Sequence, residues 1–137
     1  GDGSKQAASG NYSTQAASGN RSKQAASGDG STQAASGDYS KQAASGDDST
    51  QAASGNYSKQ AASGNYITQA ASGNYSIQMI AGFNGRAKPG RDGAIAIAYH
   101  DGKRPRIAIG YVGEDGIEAG KWYAADPASG KLVEVQS

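Results

Sequence analysis

Lysine and threonine alternate at one position of a nine-residue unit, S-[KT]-Q-A-A-S-G-[ND]-x, that runs from Ser4 to Asn74. Lys5, Thr14, Lys23, Thr32, Lys41, Thr50, Lys59 and Thr68 follow one another every nine residues, so the true period is eighteen. A fixed short period is the mark of stacked supersecondary units, none of which buries a core alone. Two similar nonads per period imply two strands and two turns in each coil. The expected fold is all-β: a β-solenoid (β-roll or β-helix) with 18 residues and two nonapeptides per coil over residues 1–82, closed by a small C-terminal antiparallel β cap over residues 83–137. One long side then presents every lysine and the other every threonine.

Within each nonad the glycine precedes Asn or Asp, from Gly10-Asn11 to Gly73-Asn74. This is turn chemistry: glycine enters positive φ freely, and an Asx side chain can bond its own backbone two residues on. The remaining S-x-Q-A-A-S is the strand, although Ala and Ser have poor β propensity. Stacking of identical rungs, rather than local preference, must make these strands. Side chains alternate faces along a strand, and lysine must reach water. Lys5, Ala7 and Ser9 therefore point outward, with Ser4, Gln6 and Ala8 inward, unless a bulge after the glutamine reverses the second half. Such a core is thin, since an alanine methyl contributes only about 0.8 kcal/mol on burial. Inter-coil backbone bonds and ladders of stacked Gln and Ser must supply much of the rest. At about 4.8 Å per coil, the repeats make a rod of roughly 20 Å.

The ninth position varies as Tyr12, Arg21, Gly30, Tyr39, Asp48, Tyr57, Tyr66 and Tyr75. At the eighteen-residue period Tyr39, Tyr57 and Tyr75 share one column. Two readings follow: corner rings that stack on one another as part of the fold, or an aromatic strip that grips a sugar or a partner. Near residue 77 the pattern turns apolar through Ile67, Ile77, Met79, Ile80 and Phe83, where a rod needs a lid over its open core and edges. Beyond it, Ala94–Tyr99 and Arg106–Val112 alternate at period two, and Trp122-Tyr123 and Leu132–Val135 add two more strands between turn signals. Residues 86–137 thus read as one small antiparallel meander, with Ile95, Ile97, Ile107, Ile109, Ile117, Trp122, Leu132, Val133 and Val135 as core candidates.

Charge is nearly balanced. Residues 1–82 carry four Lys and one Arg against five Asp, and residues 83–137 carry eight basic groups against seven acidic ones, which sums to the net +1 of the chain. Neither part has the basic field that nonspecific nucleic-acid or membrane-surface binding needs. The clusters Arg86, Lys88, Arg91 and Lys103, Arg104, Arg106 are interspersed with acids and read as solvated faces. Cysteine is absent, which excludes disulfides and thiolate metal sites. No apolar stretch approaches a membrane span and no signal peptide is present. Gly1 stands in phase with the repeat, as in a matured chain or one cut from something longer.

Catalytic signals are sparse. The one histidine, His100, sits beside Asp101 at an expected hairpin turn, with no nucleophile or second carboxylate in a recognisable arrangement. A solvated turn histidine is the plain reading. Four N-x-S sequons, at Asn11, Asn20, Asn56 and Asn74, are by-products of the turn unit outside a eukaryotic secretory route. The nonapeptide period resembles that of calcium-binding β-rolls, which use G-G-x-G-x-D. Here each turn has one glycine and usually Asn, so the architecture carries over and the metal site does not; no cofactor and no metal are expected.

Read together, the nonads and the ending Gly82-Phe83-Asn84-Gly85-Arg86-Ala87-Lys88, Gly116–Lys121, Trp122-Tyr123 and Gly130–Val135 resemble a group of bacterial and phage or prophage proteins. Those proteins carry runs of N-Y-S-T-A-A-S-S-G and a cap with a similar W/F-Y…G-x-F/L-V-E-V phrase. The resemblance covers nearly the whole chain. This sequence departs from the group in having Gln where it usually has Ala, and Ala where it has Ser, which alters the inward ladder. More distantly the repeats resemble the head rolls of trimeric autotransporter adhesins. The resemblance implies no enzymatic activity and points to no functional residue.

Three functions are consistent with these readings. The first is a non-enzymatic structural or adhesive solenoid on a phage particle or bacterial surface. Its contact strips are Lys5, Lys23, Lys41 and Lys59, and Tyr39, Tyr57 and Tyr75, with a protein or glycan as partner. The second is an ice-binding surface built on Thr14, Thr32, Thr50 and Thr68 with the small residues beside them. The third is a mobile-element product that inhibits a host protein. An uncapped first coil leaves unpaired backbone groups, so a homo-oligomer or end-to-end self-association through that end, or through the flat faces, is expected.

Overall fold

The computed structural model describes residues 1–136, and these form an all-β solenoid of about five turns with no helix. One sheet stacks β1 (Lys5–Ala8), β3 (Lys23–Ala26), β5 (Lys41–Ala44), β7 (Lys59–Ala62), β9 (Ile77–Ile80), β11 (Ala94–His100) and β12 (Pro105–Tyr111) in that order. The other stacks β2 (Thr14–Ala17), β4 (Thr32–Ala35), β6 (Thr50–Ala53), β8 (Thr68–Ala71), β10 (Arg86–Lys88), β13 (Trp122–Asp126) and β14 (Lys131–Val135). We call them the lysine sheet and the threonine sheet. Pairing along the coils is parallel and advances by eighteen residues, Lys5 beside Lys23 and Thr14 beside Thr32.

Burial alternates without a bulge: Ser, Gln and the second Ala point in, and Lys or Thr, the first Ala and the second Ser point out. The glutamines carry the interior. Gln42 Nε2 donates to Gln24 Oε1 one coil away (2.9 Å) and to the Ala52 carbonyl of the opposite sheet (2.9 Å). Gln24, Gln33, Gln51, Gln60 and Gln69 make the same pair of bonds. Each carboxamide thus ties its coil to the one before and its sheet to the one facing it. A buried donor left without an acceptor would cost about 1–3 kcal/mol, so the ladder selects one register. It stops where apolar residues take the next rung. Ala87 lies beside Gln69 and Ile95 beside Gln78, and the Oε1 atoms of both glutamines are buried without a partner.

Three expectations are corrected. The inward serines form no continuous rung-to-rung ladder; Ser22, Ser31 and Ser40 each donate to the carbonyl of the glycine three residues earlier, closing the turn within one coil, and Ser76 alone among the described inward serines reaches across, accepting the Ser58 N–H. The Asx side chains do not bond their own turns. Asn11 Oδ1 accepts the Asp29 N–H and Asp38 Oδ1 the Asn56 N–H, one coil on. Nor do the repeat glycines hold positive φ. That conformation falls on the ninth residue, at Tyr12, Arg21, Tyr39, Asp48, Tyr57, Tyr66 and Tyr75 (φ 57 to 60). The glycine is needed for another reason: a Cβ on Gly28 or Gly46 would overlap the carbonyl of Gly10 or Gly28 in the adjacent coil.

A left-handed backbone costs a non-glycine residue about 1–2 kcal/mol. In one column Tyr39, Tyr57 and Tyr75 offset this by stacking, with ring centroids 5.2 and 5.1 Å apart. Asp48 belongs to the other column, where Gly30 already occupies the preceding rung, and it has no such compensation. Asp48→Gly is therefore expected to stabilise the protein by about 1 kcal/mol, whereas Tyr57→Gly destabilises it by breaking two ring contacts worth about 0.5–1.5 kcal/mol each. Urea unfolding midpoints of the two variants measure both signs.

Parallel stacking passes through residue 82 without a break. β10 completes the coil begun by β9, and β11 stacks parallel on β9. The division at residue 82 therefore falls inside the fifth coil. The C-terminal strands are not one meander either. β12 returns antiparallel on β11 and extends the lysine sheet, while β13 and β14 form a second hairpin that extends the threonine sheet. Between the two hairpins lies the true apolar core, Ile67, Ile80, Ala87, Ile95, Ile97, Ile117 and Tyr123, with Leu132 against it. Ile107 and Ile109, expected there, face solvent and are 64% and 61% exposed. Val133 is also exposed, and Trp122 and Val135 are half-buried. Ile77 and Met79 likewise lie on the outside rather than beneath a lid.

Candidate functional site

With most inward glutamines occupied by the ladder, the accessible chemistry of the coils is on their outer surfaces. On the threonine sheet Thr14, Thr32, Thr50 and Thr68 stand in register, followed on the next rung by Arg86. Ala16, Ala34, Ala52 and Ala70 form the neighbouring column, which ends at Lys88. The indole of Trp122 receives both cations, with Arg86 Cζ 5.0 Å and Lys88 Nζ 5.2 Å from its centroid. This bank of small residues is therefore closed at one end by a cation–aromatic cluster.

The lysine sheet is organised differently. Lys5, Lys23, Lys41 and Lys59 stand in register. Among the described residues none of them has an acidic partner, since the ion pairs present involve Arg91, Arg106 and Lys121. Like charges side by side on a sheet are unfavourable, so this column is held by the fold rather than contributing to it. A groove separates it from the corner carrying Arg21, Tyr39 and Tyr57. The tyrosine faces are occupied by one another and, at one end, by the Arg21 guanidinium, 5.9 Å from the Tyr39 centroid. Ring edges and hydroxyls, not faces, are what these tyrosines offer a ligand.

Beyond Lys59 the same outward columns become apolar. Ile77 follows the lysines, and Met79 follows Ala25, Ala43 and Ala61. Tyr111 then lies beside Ala94, Ile109 beside Ala96 and Ile107 beside Ala98. Ile77, Met79, Ile107, Ile109 and Tyr111 are all exposed. They form one patch continuous with the alanine column, which is the floor of a shallow apolar trough bounded by Met79 and Ile107. Reading the sequence for core residues missed this patch. The available signal was the lysine-to-isoleucine change at residue 77, an outward position.

His100 and Asp101 are occupied with their own turn. His100 Nδ1 accepts the Gly102 N–H (3.1 Å), and the imidazole stands edge-on to Phe83 at 6.0 Å. The Arg106 guanidinium, then the backbone N–H groups of Arg104 and Lys103, hold the Asp101 carboxyl well below the usual carboxylate range. A carboxylate so committed is a poor general base toward the histidine. Among the described residues no three His, Cys, Asp or Glu side chains converge as metal ligands do. Among the described residues no helix is long and apolar enough to cross a membrane.

No protein-family model, curated protein or solved structure matches this chain.

Proposed function

We propose that this protein is a non-enzymatic structural or adhesive solenoid, carried on a phage particle or bacterial surface, that engages a macromolecular partner through its outer faces. The observation that supports this reading is the division of labour between the two sides of each strand. Inward glutamines are consumed by coil-to-coil bonding and inward serines such as Ser22, Ser31 and Ser40 by their own turns, while outward side chains repeat in register as flat columns. Repeat surfaces of this kind bind through extended arrays rather than through a pocket. The lysine column beside the Tyr39–Tyr57–Tyr75 corner supplies cations and hydroxyls to such a partner, whether protein or acidic glycan. Labelled protein applied to bacterial cells is expected to bind saturably. Reversing two charges (Lys23→Glu with Lys41→Glu) weakens that binding at least tenfold, and His100→Ala leaves it unchanged. A turnover activity that depends on His100 would overturn the reading.

A second reading rests on the threonine sheet. Thr14, Thr32, Thr50 and Thr68 repeat at about 4.8 Å on a face made otherwise of Ala and Ser as far as the Arg86–Lys88–Trp122 cluster, an array suited to lattice matching to ice. It predicts thermal hysteresis at millimolar protein that is lost in a Thr32→Lys, Thr50→Lys variant. Absence of hysteresis and of ice shaping in the parent protein removes it.

A further inference from the structure

We infer that the outer face of the lysine sheet pairs with the same face of a second copy, with the two solenoid axes antiparallel. This deepens the reading of the faces as contact surfaces and names one partner, another copy of the chain. The face is uneven in a way that complements itself. Its first four rungs carry only alanine in the central column, at Ala7, Ala25, Ala43 and Ala61, whereas the later rungs carry Met79 and Ile109, 53% and 61% exposed, on either side of Ala96. A two-fold axis lying in the face between β7 and β9 sets β7 over β9, β5 over β11 and β3 over β12 of the other copy. Met79 then sits on Ala61 and Ile109 on Ala25, bulk against bare surface in both directions, as an isologous contact demands.

Charge selects the same arrangement. The axis places Lys59 against Ile77, Lys41 against Ala94 and Lys23 against Tyr111, so no lysine meets a lysine. The aliphatic stems cover apolar surface and the Lys23 ammonium meets an aromatic ring. A two-fold axis parallel to the solenoid axis would instead put Met79 on Met79 and Ile109 on Ile109, and would wedge the alanine ends apart. Six overlapping rungs of about 4.8 Å and five residues of about 3.3 Å give roughly 500 Å² from each copy. The total of about 1,000 Å² lies at the lower bound for a specific interface. The dimer is accordingly weak, with dissociation on the order of micromolar or above, and closed, so that the second copy competes with a surface partner for the lysine column.

Light scattering behind a sizing column tests this on the full chain. The mass is expected to rise with concentration from one chain to two and stop there. Met79→Lys and Ala61→Arg, on opposite sides of the axis, are each expected to weaken dimerisation at least tenfold, while Ala52→Arg on the threonine sheet changes nothing. All three positions are exposed, and circular dichroism checks that each variant keeps its fold. Because the chain has no cysteine, a short thiol cross-linker resolves the geometry. An Ala61→Cys protein mixed with a Met79→Cys protein should cross-link between the two more than within either. A single-chain mass at every concentration, a mass growing beyond two chains, or preferential cross-linking of like positions would overturn the proposal. Cell binding by a protein that stays monomeric would sink the dimer and leave the function reading standing; a dimer without cell binding would do the reverse.

Discussion

Gly46→Ala is expected to destabilise the solenoid by about 3 kcal/mol or more, the upper range for forcing atoms into a packed interior. Exchanging glycine for alanine at an ordinary negative φ usually stabilises by about 0.4–1 kcal/mol, through the unfolded chain. The sign reverses here because the new methyl would overlap the Gly28 carbonyl and crowd the Asp29 N–H. Neither group can retreat. Gly28 O accepts the Ser31 hydroxyl (2.8 Å), and Asp29 N–H donates to Asn11 Oδ1 (2.9 Å). Relief requires separating two coils, which breaks the strand bonds on both sides of the turn. The urea midpoint measures the loss; a midpoint equal to that of the parent protein would show that the coils are not packed backbone to backbone at these corners.

Gln51→Leu tests the interior in a different way. Gln51 is fully buried, donates to Gln33 Oε1 (2.9 Å) and to the Ala61 carbonyl (3.2 Å), and accepts from Gln69 Nε2 (2.7 Å). Leucine fills similar space but abandons those groups, at about 1–3 kcal/mol for each one left unpaired. Burying the leucine returns about 2 kcal/mol, which leaves a net loss of about 3 kcal/mol. Adding Gln33→Leu is expected to cost less than a second such loss, because the bond between the two glutamines is then removed from both ends. Lys41→Ala, on the outer face, should stay within about 0.5 kcal/mol of the parent. Chemical unfolding of the four proteins measures the contrast between inside and outside.

The eighteen-residue period makes the coil legible, and the need of lysine for water orients every strand, which alone places Gln and the second Ala inward. What the turns do was not legible. A glycine before Asx reads equally as a positive-φ residue and as a place where two backbones touch, and the second becomes visible only when coil is laid on coil. The tyrosine corner left two readings open, and the ring distances show that these side chains stack on one another.

The cap misled for a related reason. Period-two alternation in Arg106–Val112 marks two faces without saying which is inward, and hydrophobicity alone chose Ile107 and Ile109. The inside at that end is already filled. A Cβ on Gly110 would meet Leu132 Cδ1 at 2.6 Å and Ile117 Cγ1 at 3.3 Å, so β12 must turn its small residues Ala108 and Gly110 inward and its isoleucines out. That inversion creates the exposed patch on the lysine sheet. The Lys, Thr and Tyr columns named from the sequence are real columns of the fold, whereas the apolar continuation of the lysine face emerged from the packing of the cap.

At the centre of this account stands a polar interior whose glutamines bind coil to coil, leaving the outer faces for recognition. Side-chain amide hydrogen exchange, followed by NMR in the native protein, tests it most directly. The carboxamide protons of Gln33, Gln42, Gln51 and Gln60, buried and doubly bonded, should exchange as slowly as the strand backbone around them. The exposed Gln136 provides the free rate in the same sample. Interior carboxamides exchanging at the rate of Gln136 would contradict the ladder.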